Sequence, residues 1–143
     1  VLHEHLQFMI DLEKRGVLAF IADQNAGPKG MFVPFFGRMA SAYKTIALLA
    51  IQYNVPIIIG YARRRGEKFE FDVGVQDIIY PEMWKNLPPE VLANGGELRW
   101  ITERWNKGIE DFIRGDPSQY WWLHRRWKSR PKGEVPGSVK GVG

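Results

Sequence analysis

Cysteine is absent from this chain of 143 residues, and histidine occurs at only three positions. The absence of cysteine excludes a disulfide framework and a thiolate metal site, and it is typical of a reducing compartment. No apolar run approaches the roughly 18 residues that a membrane-spanning helix needs. The first residue is valine rather than methionine, so we expect a fragment or a processed product, in which a missing leader peptide carries no information.

The positive charge of the chain is confined to its C-terminal part. The net charge is +4, but residues 114–143 hold seven Lys and Arg residues against two acidic ones, which leaves +5 there and −1 over residues 1–113. A localised basic patch attracts phosphate groups of nucleic acids, lipid headgroups or sugars; a solvated basic tail is the alternative. With 45% apolar and 25% charged residues, the composition is otherwise typical of one folded domain.

The N-terminal third alternates between apolar segments and turn residues. Residues 1–15 show the apolar spacing of a helix. Residues 17–22 form a short apolar run, as expected for a buried strand of an α/β sheet. A loop over residues 23–30 follows, and the next apolar run, residues 31–36, contains a proline that excludes a central strand position.

The remaining segments predict two helices and a hairpin. Residues 40–54 are apolar on nearly all sides, which predicts a buried helix. Residues 55–61 predict a buried strand and residues 68–75 a half-buried one, so a hairpin is expected between them. Residues 97–114 have one apolar face and predict an amphipathic helix.

This order of elements predicts an α/β fold with a partial mixed sheet flanked by helices. The strands at 17–22 and 55–61 would be parallel, joined by a right-handed crossover through the intervening helix. Residues 1–131 would form one domain. Residues 132–143, rich in glycine, proline and lysine, would form a disordered tail.

The loop with the sequence ADQNAGPKGMFVPFFG, residues 22–37, is the first candidate site. Asp23 and Gln24 follow the predicted strand 17–22, and ligands of open α/β sheets bind at the carboxyl ends of strands. Gly27 and Gly30 would let the backbone approach a ligand closely. The alternative is that the carboxylate of Asp23 and the amide of Asn25 only cap a turn.

The second candidate is DPSQYWWLHRRWKSRP, residues 116–131, where aromatic residues are interleaved with arginine and lysine. Tryptophan belts and basic clusters favour the surface of an anionic membrane. Stacked tryptophan and arginine would also suit single-stranded nucleic acid. A third possibility is that the tryptophans pack on the core while the cations are solvated. The residues alone leave these alternatives open.

Both segments, in this order and about 80 residues apart, resemble the two late signatures of the lipid A biosynthesis (lauroyl/myristoyl) acyltransferase family. This family is part of the lysophospholipid acyltransferase superfamily, so the resemblance implies the C-terminal portion of a glycerolipid-acyltransferase-like fold. It also implies transfer of a fatty acyl chain from acyl carrier protein to a hydroxyl of a lipid A precursor. The expected location is the cytoplasmic face of the bacterial inner membrane, with an anionic membrane surface as a further partner. Relatives that acylate phosphatidylinositol mannosides give an alternative acceptor.

The resemblance also implies roles for individual residues, with neither a cofactor nor a metal. Asp23 would support catalysis by ordering the active site through hydrogen bonds. Two arginines of the second segment, Arg125 and Arg126, would bind phosphate of the acceptor or the bilayer. The remaining residues expected to bind substrate all belong to the first segment: Gln24, Gly27, Gly30, Phe32, Pro34, Phe36 and Gly37. Ordinary core packing is the alternative role of the phenylalanines.

The family's catalytic pair, a histidine followed five positions later by Asp or Glu, has no counterpart here. The residues five positions after His3, His5 and His124 are Phe, Ile and Ser. The resemblance therefore implies that the catalytic pair lies upstream of Val1 and that the chain is inactive by itself. A catalytically inactive lipid-binding relative is one alternative. A nucleic-acid-binding module is another, but the −1 balance over residues 1–113 argues against it, so no nucleic acid is expected.

Overall fold

The computed structural model describes residues 16–134. The predicted helix over residues 1–15, with His3 and His5, lies outside the described residues. The same holds for residues 135–143 of the predicted disordered tail.

The first hairpin pairs strand β1 (Met31–Phe35) with strand β2 (Arg38–Ala42) in antiparallel register. Its two-residue loop is Phe36-Gly37, and both residues have positive φ, 50° and 73°, as tight hairpin turns require. The predicted helix over 40–54 is therefore wrong at its start, because residues 40–42 belong to β2. The helix itself, α1, is Lys44–Tyr53.

Helix α1 buries one side only. Ile46, Ala47 and Ala50 are buried, whereas Leu48 is largely exposed. The helix ends at Asn54, a left-handed residue whose N–H donates to the carbonyls of the last turn. The prediction of burial on nearly all sides is thus wrong for the face that carries Leu48.

The second hairpin pairs strand β3 (Ile57–Arg64) with strand β4 (Phe71–Ile79), with a bulge after Ile59. This confirms the predicted hairpin, but the predicted buried face of the second strand is wrong. Phe71, Val73 and Val75 are exposed, because the last helix packs against the opposite face of the sheet, where Ile59 is buried.

Residues 17–22 form no strand, contrary to prediction. Val17 is 95% exposed and Ile21 80%. A strand needs a partner for its backbone N–H and C=O groups, and within residues 16–134 strands β3 and β4 pair only with each other. The predicted parallel pair and its crossover are therefore absent from the described part of the chain, where both two-stranded sheets are antiparallel. The broader prediction of a mixed α/β fold is confirmed.

Helix α4 (Gly96–Gly115) organises the fold. It follows two short helices, α2 (Pro81–Lys85) and α3 (Pro89–Ala93), and confirms the amphipathic helix predicted over 97–114. It packs against both hairpins and α1, and its buried side chains include Ile101, Trp105 and Ile113. Among the described residues, no helix is both long and apolar enough to cross a bilayer.

Candidate functional site

The two candidate segments, about 80 residues apart in sequence, lie against each other. The backbone N–H of Asn25 donates to Nε2 of His124 at 2.9 Å, and Nδ2 of Asn25 donates to Oγ of Ser129 at 3.1 Å. The hydroxyl of Tyr120 donates to the backbone carbonyl of Asp23 at 3.1 Å. The loop that resembles the first signature is thus held in place by the second.

Arg126 lies at the centre of this contact and is only 1% exposed. Its Nη1 donates to the backbone carbonyl of Ser41 in β2, and its Nη2 donates to Oδ1 of Asn106 at 2.9 Å. The guanidinium also lies 5.1 Å from the ring centroid of Phe35. These contacts occupy Arg126 with the protein itself, so the phosphate contact expected for it has no support in this geometry.

Helix α4 fixes the tip of the first hairpin with two polar side chains. Nδ2 of Asn106 donates to the carbonyl of Pro34 at 2.8 Å, and the backbone N–H of Phe36 donates to Oε2 of Glu110 at 2.7 Å. Arg114 donates from Nε to the other oxygen of Glu110 at 2.9 Å. Phe36 is therefore held in its left-handed conformation by a carboxylate that is itself paired.

Aromatic rings fill the space between the first hairpin and the C-terminal segment, residues 116–134. Phe35 is fully buried and lies 5.7 Å from Trp127 and 6.5 Å from Tyr120 between ring centroids. Phe36 meets Trp122 edge-on at 5.6 Å and carries the guanidinium of Arg114 over its ring at 4.6 Å. Phe35 is thus a core residue, whereas Phe36 is only partly buried.

The three glycines of the first segment serve different purposes. Gly27 and Gly37 have positive φ, 78° and 73°, with open space where a side chain would be. Gly30 is packed instead, because a Cβ there would lie 2.1 Å from Oγ of Ser41. The hydroxyl of Ser41 donates to the carbonyl of Gly27, so close packing of the loop on β2 accounts for Gly30 without a ligand.

Burial and nearby charges shift the pKa values of two residues near Asp23, Tyr120 and Arg126. Burial, together with the nearby carboxylate of Asp23, raises the pKa of the Tyr120 phenol to about 12. Tyr120 is therefore a neutral hydrogen-bond donor at physiological pH. Burial lowers the pKa of the Arg126 guanidinium, an effect that Tyr120 and Asp23 oppose; arginine remains a cation in any case.

The remaining predicted site residues divide by exposure. Gln24 and Phe32 are partly buried, and Arg125 is exposed. Pro34 and Gly37 line a shallow groove of about 450 Å³, together with residues of one side of α4: Trp100, Glu103, Arg104, Lys107 and Glu110. Within residues 16–134, no three His, Asp or Glu side chains are grouped so as to hold a metal ion.

Sequence reasoning missed the polar side chains of α4. Thr102, Asn106 and Glu110 are all buried and recur at intervals of four beside the apolar face, so they share one side of the helix. Such a polar row next to an apolar face was the signal that could have identified Asn106 and Glu110. A polar group buried among apolar neighbours needs a partner. Thr102 donates to the carbonyl of Leu98 within α4, whereas Asn106 and Glu110 bond to Pro34 and Phe36 of the first candidate segment.

Known proteins with similar sequences are enzymes of lipid A assembly. A family profile described as bacterial lipid A biosynthesis acyltransferase matches residues 4–129. The chain is 31% identical over 130 residues to a lipid A biosynthesis lauroyltransferase of Escherichia coli (strain K12), which covers 90% of this chain and 39% of that protein. It is 31% identical over 126 residues to a lipid A biosynthesis palmitoleoyltransferase of the same strain, covering 86% and 37%.

A lipid A biosynthesis acyltransferase of Shigella flexneri is likewise 31% identical over 126 residues, with the same coverage of 86% and 37%. The chain spans about two fifths of the length of the curated relatives it matches. No solved structure matches it significantly.

Proposed function

Because the chain belongs to the bacterial lipid A biosynthesis acyltransferase family, we propose that it forms part of an enzyme that acylates a hydroxyl of a lipid A precursor. Acyl carrier protein is the proposed donor, and the cytoplasmic face of the inner membrane, with its anionic lipids, is the proposed place of action. The observation that carries this proposal is the joining of the two signature segments at one site through Asn25 and His124.

The chemistry of transfer needs a general base that takes a proton from the acceptor hydroxyl. We propose that the histidine of the family's pair, and the carboxylate that orients it, lie in the part of the family's length that this chain does not cover. Residues 23–37 would then form one wall of the active site. Pro34 and Gly37, on the open groove, would contact substrate, and Phe36 would contribute the apolar rim.

Asp23 is proposed to order this wall rather than to react. Its carbonyl is bound by Tyr120, and its carboxylate lies close enough to Tyr120 and Arg126 to influence the pKa of both. Arg125, which is exposed, is proposed to bind phosphate of the acceptor or the bilayer, since guanidinium binds phosphate in a bidentate manner. Arg126 is proposed to position the loop instead.

The proposal is tested by acyl transfer from acyl carrier protein to a lipid A precursor, measured in the full natural protein. Asp23→Asn should lower kcat by about tenfold or more, the range of effects of misplaced catalytic groups. Asp111→Asn is the matched control, because this exposed aspartate of α4 pairs with Lys107 at the surface. Wild-type protein that acylates neither a lipid A precursor nor a phosphatidylinositol mannoside would overturn the proposal.

Phosphate binding by Arg125 has a separate test. Arg125→Gln should raise the KM for the acceptor, with a smaller change in kcat, because a phosphate contact remote from the reacting hydroxyl contributes mainly to binding. Arg64→Gln on the second hairpin, another exposed arginine, is the control. An unchanged acceptor KM would remove Arg125 from the binding site.

A further inference from the structure

The C-terminal segment exposes large apolar side chains where a protein would ordinarily bury them. Trp121 is 62% exposed, Leu123 83% and Trp122 46%. Residues on both sides of these three are held in place, since Tyr120, His124 and Arg126 each form a hydrogen bond to another part of the fold. The exposure is therefore a property of a fixed segment and not of a loose end.

The geometry at Trp122 holds this stretch in place. Its indole N–H donates to the carbonyl of Pro117 at 2.7 Å, and its ring packs on Tyr120 at 4.8 Å and on Phe36 at 5.6 Å. One edge of Trp122 is thus anchored to the hairpin tip, and its neighbours on both sides project outward. An indole with one apolar face and one polar contact is suited to the boundary between water and lipid.

Uncompensated cations lie within the same segment. Arg125, Lys128 and Lys132 are exposed and make no ion pair within the described residues. No Asp or Glu occurs between Asp116 and Glu134. Cations beside exposed tryptophan and leucine complement a surface that is anionic outside and apolar beneath.

A second exposed apolar surface exists but carries less positive charge than the +3 of residues 116–134. The outer face of the second hairpin exposes Phe69 and Val73. Its four basic residues face three acidic ones, which leaves a net charge of +1 over residues 63–72, and Arg63 and Arg65 both contact Asp72, at 3.7 Å and 2.5 Å. Charge complementarity with an anionic lipid surface therefore favours the C-terminal segment.

We propose that Trp121 and Leu123 insert into the interface of an anionic bilayer while Lys128 and Lys132 bind its headgroups. This contact would set the first hairpin, to which Trp122 is anchored, at the membrane surface. The inference rests on the proposed function in that the acceptor is taken to reside in that bilayer. It adds the residues through which this chain would reach the bilayer.

Vesicle binding by the intact protein tests this, with vesicles of phosphatidylcholine alone and of phosphatidylcholine with phosphatidylglycerol. Trp121→Ser combined with Leu123→Ser should weaken binding to the anionic vesicles by about tenfold or more, given the apolar area withdrawn. Lys128→Gln and Lys132→Gln should each weaken it by about fivefold at low salt, with little change on neutral vesicles. Phe69→Ser with Val73→Ser is the matched control and should leave binding unchanged.

Three results would overturn the inference: full binding by the Trp121/Leu123 variant, loss of binding by the Phe69/Val73 variant alone, or binding of a single-stranded oligonucleotide in preference to vesicles. Acyl transfer to acceptor dispersed in detergent separates this from the proposed function. There the Trp121/Leu123 variant should match the wild type. If the wild type binds vesicles but transfers no acyl chain, the proposed enzymatic function is refuted while the proposed membrane contact is supported.

Discussion

Nη2 of Arg126 donates to Oδ1 of Asn106 at 2.9 Å, and both side chains are buried. The pair joins the C-terminal segment to α4, and through the second bond of Asn106, to Pro34, it reaches the first hairpin as well. Burying a guanidinium costs free energy unless its N–H groups find partners, and Nη1 and Nη2 of Arg126 each have one. One amide side chain of α4 thus contacts both candidate segments.

Asn106→Ala should destabilise the fold by about 1–3 kcal/mol, because it leaves an N–H of the buried Arg126 without a partner and removes the hydrogen bond to the carbonyl of Pro34. Unfolding by urea, followed by circular dichroism, measures this as a lower midpoint. Asn86→Ala is the control, since Asn86 is exposed and surface substitutions usually stay within about 0.5 kcal/mol. Equal stability of the two variants would contradict the anchoring role of Asn106.

Gly30→Ala should destabilise the fold by about 1–3 kcal/mol, the range for overpacking. The added Cβ would lie 2.1 Å from Oγ of Ser41 and 2.9 Å from the carbonyl oxygen of Ala42, so β2 or the loop must move. Gly115→Ala is a matched change at the end of α4, where nothing lies within 4 Å, and it should be neutral or stabilising by a few tenths of a kcal/mol. Thermal unfolding of both variants provides the comparison, and a neutral Gly30→Ala would refute the close packing.

Sequence periodicity predicted the elements that depend mainly on residues within one segment. The helix over 97–114 and the hairpin after residue 55 follow from periodicity within single segments. The strand of residues 38–42 was missed because the Phe36-Gly37 turn, with an unfavourable positive φ at a phenylalanine, is stabilised by Glu110, which lies 74 positions away. No pattern within the hairpin itself encodes that contact.

The sequence identified the two segments of the candidate site but not the contacts between their side chains. Both signature segments were identified from their residues, and the structure brings them together. The burial of Arg126 was not predicted, because a cation among tryptophans looks the same in sequence whether it meets phosphate or a protein carbonyl. The deciding partners, Asn106 and the carbonyl of Ser41, belong to other elements of the chain.

Tyr120→Phe should lower stability by about 0.5–1.5 kcal/mol at neutral pH, through loss of the hydrogen bond to the carbonyl of Asp23. The folded pKa of Tyr120, about 12, lies above the ordinary value of about 10. The neutral phenol therefore contributes stability that is fully present below about pH 10 and is lost as the pH rises through the folded value. Wild type and Tyr120→Phe should converge in midpoint of urea unfolding between those pH values; parallel curves would exclude the buried, protonated phenol.

Glu110→Gln should show the opposite pH dependence. Burial alone would raise the pKa of Glu110, but the backbone N–H of Phe36 and the side chains of Arg114 and Lys107 outweigh it and hold the pKa below the ordinary value. A depressed carboxyl pKa gives stability that is present above the unfolded value, about 4.3, and is lost as the pH falls through the folded value. The substitution should thus be destabilising, by about 1 kcal/mol at pH 7, and the difference from wild type should vanish in acid. Asp111→Gln serves as control on the exposed side of α4, and a difference that persists at the lowest pH at which both proteins fold would show that Glu110 stabilises Phe36 by shape and not by charge.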